Sequence, residues 1–211
     1  MATIVDLTLT YTDSFTGFSK EASKTVENDG WNASTLNFYS HCGTHMDAPI
    51  HFDVSHQTID EIPVTDFVGK AWLIDVRHVG SKGLINSNHI PQDIQREFTA
   101  GDSLIFWTSW AQYVNTPKYR DELPRISEEL AHWCLEHKVK MLGVEPPSVA
   151  DVNNIEEVTH IHRILLKGVV IIEGLTNLDK LQSNCVELVA LPLKIGEGDG
   201  APARVIAIEK Y

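Results

Sequence analysis

Residues 4–9 alternate between apolar and polar side chains and open with β-branched residues, a period of two that predicts a strand. Residues 35–40 carry a second such pattern and run into His41. Residues 71–76 and 103–108 are short apolar runs rich in β-formers, the mark of buried strands. A period near 3.6 takes over at residues 126–137. There Leu130, Trp133, Cys134 and His137 form one stripe, Ser127 can cap the start, and Glu128 and Glu129 suit the first turn. Residues 138–144 return to a strand pattern. Residues 160–167 read as helix stopped by Gly168, and residues 169–173 form an apolar strand ending on Glu173. Residues 185–193 and 203–209 predict the last two strands. Strands outnumber helices, which points to an α/β domain with a mixed, partly closed sheet.

Composition narrows the class. The chain of 211 residues is long enough for one core, and no Pro/Gly/Ser-rich linker divides it, so a single domain over residues 1–211 is expected. Its net charge of −12 opposes nucleic-acid phosphates, so no nucleic-acid partner is expected. No run approaches the ~20 apolar residues a membrane span needs. The first residues lack a basic start and an apolar stretch, so no secretory signal is expected. Cys42, Cys134 and Cys185 are few and far apart, which fits no disulfide framework and suits a reducing cytoplasm.

The chemistry concentrates in His41-Cys42-Gly43-Thr44-His45-Met46-Asp47-Ala48-Pro49-Ile50-His51. With His56, this places four of the ten histidines within sixteen residues. His45, Asp47 and His51 stand at even offsets from His41, which in an extended chain puts them on one face and Cys42 on the other. Pro49 and Gly43 argue against a helix. A straight strand would separate His41 from His45 by ~13 Å, too far for one cation, so the chain must bend. Gly43 tolerates the positive φ of a bend, and Thr44 can hydrogen-bond there. A surface loop with scattered histidines is the bland alternative. A second set follows in His160, His162 and Glu173. A carboxylate at the end of an apolar strand is costly unless paired or metal-bound. Either histidine could be a ligand, a cap or a surface residue. Trp31, Trp107 and Trp110 fall near strand ends and are candidate substrate-binding residues, although tryptophan is more often core.

Residues 41–52 resemble the HxGTHxDxPxHF motif of the cyclase family, which includes bacterial kynurenine formamidases and isatin hydrolases. HRILLKGVVIIEGLTNL from His162, GVEPPS from Gly143 and VELVALPLKI from Val186 resemble further segments of that family, so the likeness spans most of the chain. Three departures stand out: residues 13–28 hold no proline where formamidases often carry a Pro-Trp-Pro-Gly stretch, Glu145 replaces a common Asp, and the spacing from His162 to Glu173 is one residue short.

The resemblance implies a swivelling β/β/α-type α/β domain in homodimers or homotetramers. It implies His41, His45, Asp47, His162 and Glu173 as metal ligands, with Asp47 bridging, and His51 as the catalytic histidine. His162 is favoured over His160 because the Arg-Ile-Leu-Leu after it aligns. The cofactor would be one or two Zn²⁺ ions or Mn²⁺. The activity implied is hydrolysis of an amide, formamide or cyclic amide, with hydroxide supplied by the metal and His51 as acid–base, on a small, aromatic substrate. The alternatives are an isatin-type lactam or lactone hydrolase and a non-catalytic metal- or small-molecule-binding member of the same fold. A closed structural zinc site would prefer cysteine, which the motif does not offer as a ligand.

Overall fold

The computed structural model describes residues 2–209. In chain order these form β1 (Thr3–Asp6), β2 (Phe18–Lys24), the short α1 (Val26–Asp29), β3 (Ala33–Phe38), β4 (His45–Asp47), β5 (Val68–Asp75), β6 (Leu84–Ile85), α2 (Gln92–Glu97), β7 (Ser103–Trp107), α3 (Pro117–Asp121), β8 (Arg125–Ile126), α4 (Glu128–Glu136), β9 (Met141–Val144), α5 (Ile155–Leu165), β10 (Val170–Glu173), β11 (Cys185–Pro192) and β12 (Gly200–Glu209). None of the described helices is long and apolar enough to cross a membrane.

The main sheet runs β1-β12-β11-β5-β7-β9-β10-β4, and β4 pairs again with β12. Seven strands therefore close into a barrel, with β1 lying along the far half of β12. Strands β5, β7, β9 and β10 are parallel, and the joins through β4, β12 and β11 are antiparallel. The expected mixed sheet is thus present, and its closure is complete. Closure removes the open edges on which a flat sheet would pair with other chains.

Strand parity sorts the side chains into two cores. Ala71, Leu73, Ile105, Met141, Ile172 and Met46 point into the barrel. Trp72, Ile74, Leu104, Phe106, Leu142, Val144 and Ile171 point outward under α4 and α5. Ser127 caps α4 by accepting from Leu130 N at 3.1 Å, as its sequence predicts. Helix α5 starts five residues before the expected residue 160, because Asn154 caps it and Glu156 and Glu157 fill its first turn. One expectation is corrected in part: the strand at residues 35–40 is present as β3, but it does not run into His41. The ribbon β3 ends at Phe38, pairs only with β2, and is followed by a turn.

Candidate metal centre

On β4 the parity argument holds. His45 and Asp47 face outward while Met46 is buried in the barrel. Opposite them, Glu173 ends β10 on the same outer face. Register puts Glu173 directly across from His45, so the two side chains are cross-strand neighbours. The strand end of β10 lies at the carboxyl end of the parallel strands, where α/β sheets place their ligands. Above this face α5 supplies His162. Residues two apart on a helix point to opposite sides, so His162 is buried against the sheet. His160 is exposed and pairs with Glu128 at 3.2 Å. The structure therefore brings in His162 and leaves His160 outside.

His41 and His51 reach the cluster by bends. Gly43 sits at φ +64°, and its absent side chain leaves room for the Tyr11 ring, which would lie 2.7 Å from a Cβ there. The Tyr11 hydroxyl donates to the Cys42 carbonyl at 2.7 Å. The turn draws the His41 ring to within 5.2 Å of the His45 ring. Thr44 serves a wider purpose than its own turn: its hydroxyl donates to Gly174 O at 2.6 Å and accepts from Leu9 N at 2.8 Å, joining β4, β10 and the N-terminal segment. His51 lies in a 3-10 turn spanning Pro49–Phe52 and stacks on His41 with centroids 3.7 Å apart. His56 is exposed and takes no part.

The hydrogen bonds around these rings select their tautomers. His45 Nδ1–H donates to Gly43 O at 3.0 Å, and His162 Nδ1–H donates to Val158 O at 2.7 Å. In both, Nε2 is the nitrogen turned inward. His45 Nε2 is 3.1 Å from Glu173 Oε2 and 3.7 Å from Asp47 Oδ1. His162 Nε2 is 3.4 Å from Glu173 Oε1 and 3.6 Å from Asp47 Oδ2. Glu173 Oε1 also accepts from Val149 N at 2.7 Å, in the turn after β9. A backbone carbonyl holding Nδ1–H is the usual support of a metal-ligating imidazole.

His41 is held by two carboxylates, Asp47 Oδ1 at 2.8 Å from Nδ1 and Asp199 Oδ2 at 3.0 Å from Nε2. Asp199 comes from the loop between β11 and β12, more than 150 residues away in sequence. No spacing signal in the motif points to it.

Charge balance follows from this crowding. Burial alone would lower His41, but Asp47 and then Asp199 raise it to about 9. Burial likewise opposes charge on His45 and His162, and Glu173 chiefly raises both. Burial would raise Asp47 and Glu173, yet the facing imidazoles hold both carboxyls below their ordinary values. His51 is the exception: burial first, and the other imidazoles with it, lower its pKa. Two buried carboxylates thus require positive charge, which protons on the imidazoles or a cation can supply. Asp47 Oδ2 is buried with no hydrogen-bond partner. That orphaned oxygen, two inward Nε2 atoms and an all-N/O donor set fit a divalent cation. His41, His45 and Asp47 bring one ligand atom each into mutual reach, and Asp47, His162 and Glu173 form a second such group sharing Asp47. Cys42 is buried and belongs to neither group.

A cavity of about 930 Å³ opens beside the cluster, with Phe15, Tyr39, Phe52 and Tyr119 as its aromatic wall. The tryptophan candidates are corrected here, since none of the three lines it. Trp31 is exposed beyond α1. Trp107 follows Ile105 in parity, packs with the barrel-side core and lies 3.8 Å under the Arg77 guanidinium. Trp110 is buried, its indole N–H donating to Tyr119 O at 2.9 Å. Glu145 turns away from the cluster. Its Oε2 accepts from Thr108 N at 2.7 Å and the Thr108 hydroxyl at 2.8 Å, bracing the turn after β7.

The model of the family described as putative cyclase matches residues 5–151. A kynurenine formamidase of Bacillus cytotoxicus is 34% identical over 193 residues, 90% of this chain and 87% of that protein. Isatin hydrolase A of Ralstonia solanacearum shares the fold with a TM-score of 0.87 at 24% identity, over 99% of this chain and 92% of its own. A structure described as a potential metal-dependent hydrolase with cyclase activity aligns over the whole of both chains with a TM-score of 0.79 and 24% identity. With the family model covering more than half of its length, and this degree of identity to a curated relative over nine-tenths of it, the chain belongs to the cyclase family.

Proposed function

We propose that this chain is a metal-dependent hydrolase of non-peptide C–N bonds, acting on a small aromatic amide, formamide or lactam. The observation that carries the reading is the buried cluster itself: Asp47 Oδ2 has no partner, and His45 Nε2 and His162 Nε2 face the Asp47 and Glu173 carboxylates. His41, His45, Asp47, His162 and Glu173 would hold one or two ions of Zn²⁺ or Mn²⁺. When bound, such a cation lowers the pKa of water toward 7 and polarises a carbonyl oxygen.

The chain's own groups do the rest. Water adds to the carbonyl carbon, the C–N bond breaks, and one proton must reach the leaving nitrogen. His51 is the proton carrier. Its lowered pKa keeps it neutral near pH 7, able first to accept a proton and then to deliver it. Its Nδ1 lies toward Asp199 Oδ2 at 3.7 Å, which leaves Nε2 for the exchange. The stack on His41 limits the ring's rotation. The aromatic wall excludes water from a ring-bearing substrate.

The kynurenine formamidase relatives support formamide hydrolysis first. Metal analysis together with turnover of N-formylkynurenine, isatin and simple lactones tests the reading. Bound metal with no turnover on any of them refutes it and leaves a binding protein. A homodimer or homotetramer is also proposed, supported by the β2–β3 ribbon, where Leu36 of β3 and the neighbouring Trp31 are exposed; light scattering measures it. The three unpaired cysteines support a cytoplasmic setting.

A further inference from the structure

Part of the cavity wall is a single excursion of chain, residues 108–122, between β7 and β8. Val114, Asn115, Thr116, Pro117 and Tyr119 of this strap line the cavity. Its inner hydrogen bonds are its own. Val114 N donates to Ala111 O, Thr116 N and the Thr116 hydroxyl to Tyr113 O, and Gln112 Nε2 to Ser109 O. Among the described residues, no hydrogen bond of residues 111–118 leaves the strap, so tethers at its two ends set its position.

Both ends are tied to Glu145, which follows β9 and is buried. Its Oε2 accepts from Thr108 N at 2.7 Å, the Thr108 hydroxyl at 2.8 Å and Trp110 N at 3.2 Å. Its backbone carbonyl accepts from the Tyr119 hydroxyl at 2.8 Å. The Trp110 indole N–H, donating to Tyr119 O at 2.9 Å, joins the two ends. Between Thr108 and Trp110, Ser109 sits at φ +57°. A non-glycine residue holds that conformation only where surrounding bonds over-determine it, and the Glu145 carboxylate supplies them.

We propose that Glu145 is a positioning residue that sets the reach of the cavity, and with it the length of substrate the site takes. The inference rests on the hydrolase reading above and deepens it. Glu145 is not among the described lining residues, so it acts through the strap. Moving its carboxylate moves Thr108 and Trp110, and the residues beyond them follow. The metal cluster keeps its place, because the segment after Glu145 has its own anchors. Val149 N donates to Glu173 Oε1 at 2.7 Å, and Gly174 N donates to Pro146 O at 2.9 Å. Neither bond uses the Glu145 side chain. An aspartate at this position is one C–C bond shorter, about 1.5 Å of reach, which draws the strap toward β9 and shortens the cavity.

The test uses the full metal-loaded chain with formanilide and its longer 4-propyl homologue. In Glu145→Asp the ratio of kcat/KM for 4-propylformanilide to that for formanilide is expected to fall about 10-fold, carried by KM, with metal content and kcat on formanilide unchanged. Glu145→Gln keeps the reach and an acceptor oxygen, so it is expected to keep the wild-type ratio. Equal losses on both substrates in Glu145→Asp, or an unchanged ratio, overturn the proposal. Hydrogen exchange followed by mass spectrometry reads the tether without turnover. In Glu145→Ala the amides of residues 108–119 are expected to exchange about 10-fold faster or more, with α4 and α5 unaltered. An unaltered strap, or faster exchange throughout the chain, overturns the assignment. If wild type hydrolyses neither formamide, the hydrolase reading fails, and calorimetry with aniline and 4-propylaniline decides whether Glu145 sets the reach. Weaker binding of 4-propylaniline alone in Glu145→Asp supports it, and parallel changes on both amines, or none, overturn it.

Discussion

Replacing Gly174 by alanine should damage both the fold and the metal centre. Gly174 follows the ligand Glu173 and sits at φ +69°. A Cβ there would lie 2.2 Å from Gly43 O, 2.8 Å from Gly43 C and 3.2 Å from Thr44 N, all backbone atoms. Ordinary contact needs about 3.5 Å, so the β10 end and the Gly43 bend must part by about 1 Å. Neither can yield freely, because Thr44 Oγ1 donates to Gly174 O at 2.6 Å and Gly174 N to Pro146 O at 2.9 Å. The left-handed conformation costs a non-glycine residue about 1–2 kcal/mol. Overpacking adds about 1–3 kcal/mol. A total of about 2–5 kcal/mol corresponds to a Tm drop of roughly 4–20 °C in a chain of this size.

The same separation would pull Glu173 from His45, now 3.1 Å away. Metal content should therefore fall with Tm. Gly80→Ala is the control: it has φ +68° and nothing within 4 Å, so it isolates the conformational cost. Thermal unfolding with elemental analysis of purified protein reads both effects. A Gly174→Ala variant no less stable than Gly80→Ala, with full metal content, would refute the close-approach argument.

His51→Ala should keep its metal and its Tm while losing about 10²- to 10⁴-fold in kcat; near wild-type turnover would remove His51 from the mechanism. Because burial first lowers the His51 pKa, a base of this kind puts the acid limb of the wild-type kcat/KM profile below pH 6.5, measurable from initial rates. Asp199→Asn should weaken metal affinity by about 10- to 100-fold, read by chelator competition, since it removes the carboxylate that holds His41 Nε2. Asp102, far from the site, tests the electrostatics separately. Burial acts to raise its carboxyl, but Lys70 at 2.7 Å and the Trp72 indole at 2.9 Å hold it below the usual 3.8. Its folded value is depressed, so its stabilisation is present above pH 3.8 and is lost as pH falls through the folded value. Asp102→Asn should cost about 1–3 kcal/mol near neutrality and progressively less below about pH 4, followed by denaturant unfolding.

Local chemistry in the sequence determined a large part of this protein. Short apolar runs marked β5, β7 and β10, because each of these strands has one face in the barrel and one under the helices. Ser127 and its two glutamates marked α4, because a cap is written in adjacent residues. The motif at 41–51 carried His45 and Asp47 on one face, and reach alone required a bend, which Gly43 makes. The helix at His162 began earlier than its apolar stripe suggested, since the Asn154 cap lies outside that stripe.

Tertiary structure decided what adjacency cannot express. Closure of the barrel depends on β12 pairing with β4, segments some 150 residues apart. Asp199 meets His41 through a loop that carries no periodic signal. The tryptophans near strand ends read as candidate wall residues, but parity sends Trp107 to the barrel side and leaves the wall to Phe15, Tyr39, Phe52 and Tyr119. The physical reason is common to all these cases. Hydrophobic period and caps are properties of neighbours in the chain, whereas a site on the outer face of a closed barrel is assembled by hydrogen-bond register between strands that only folding brings together.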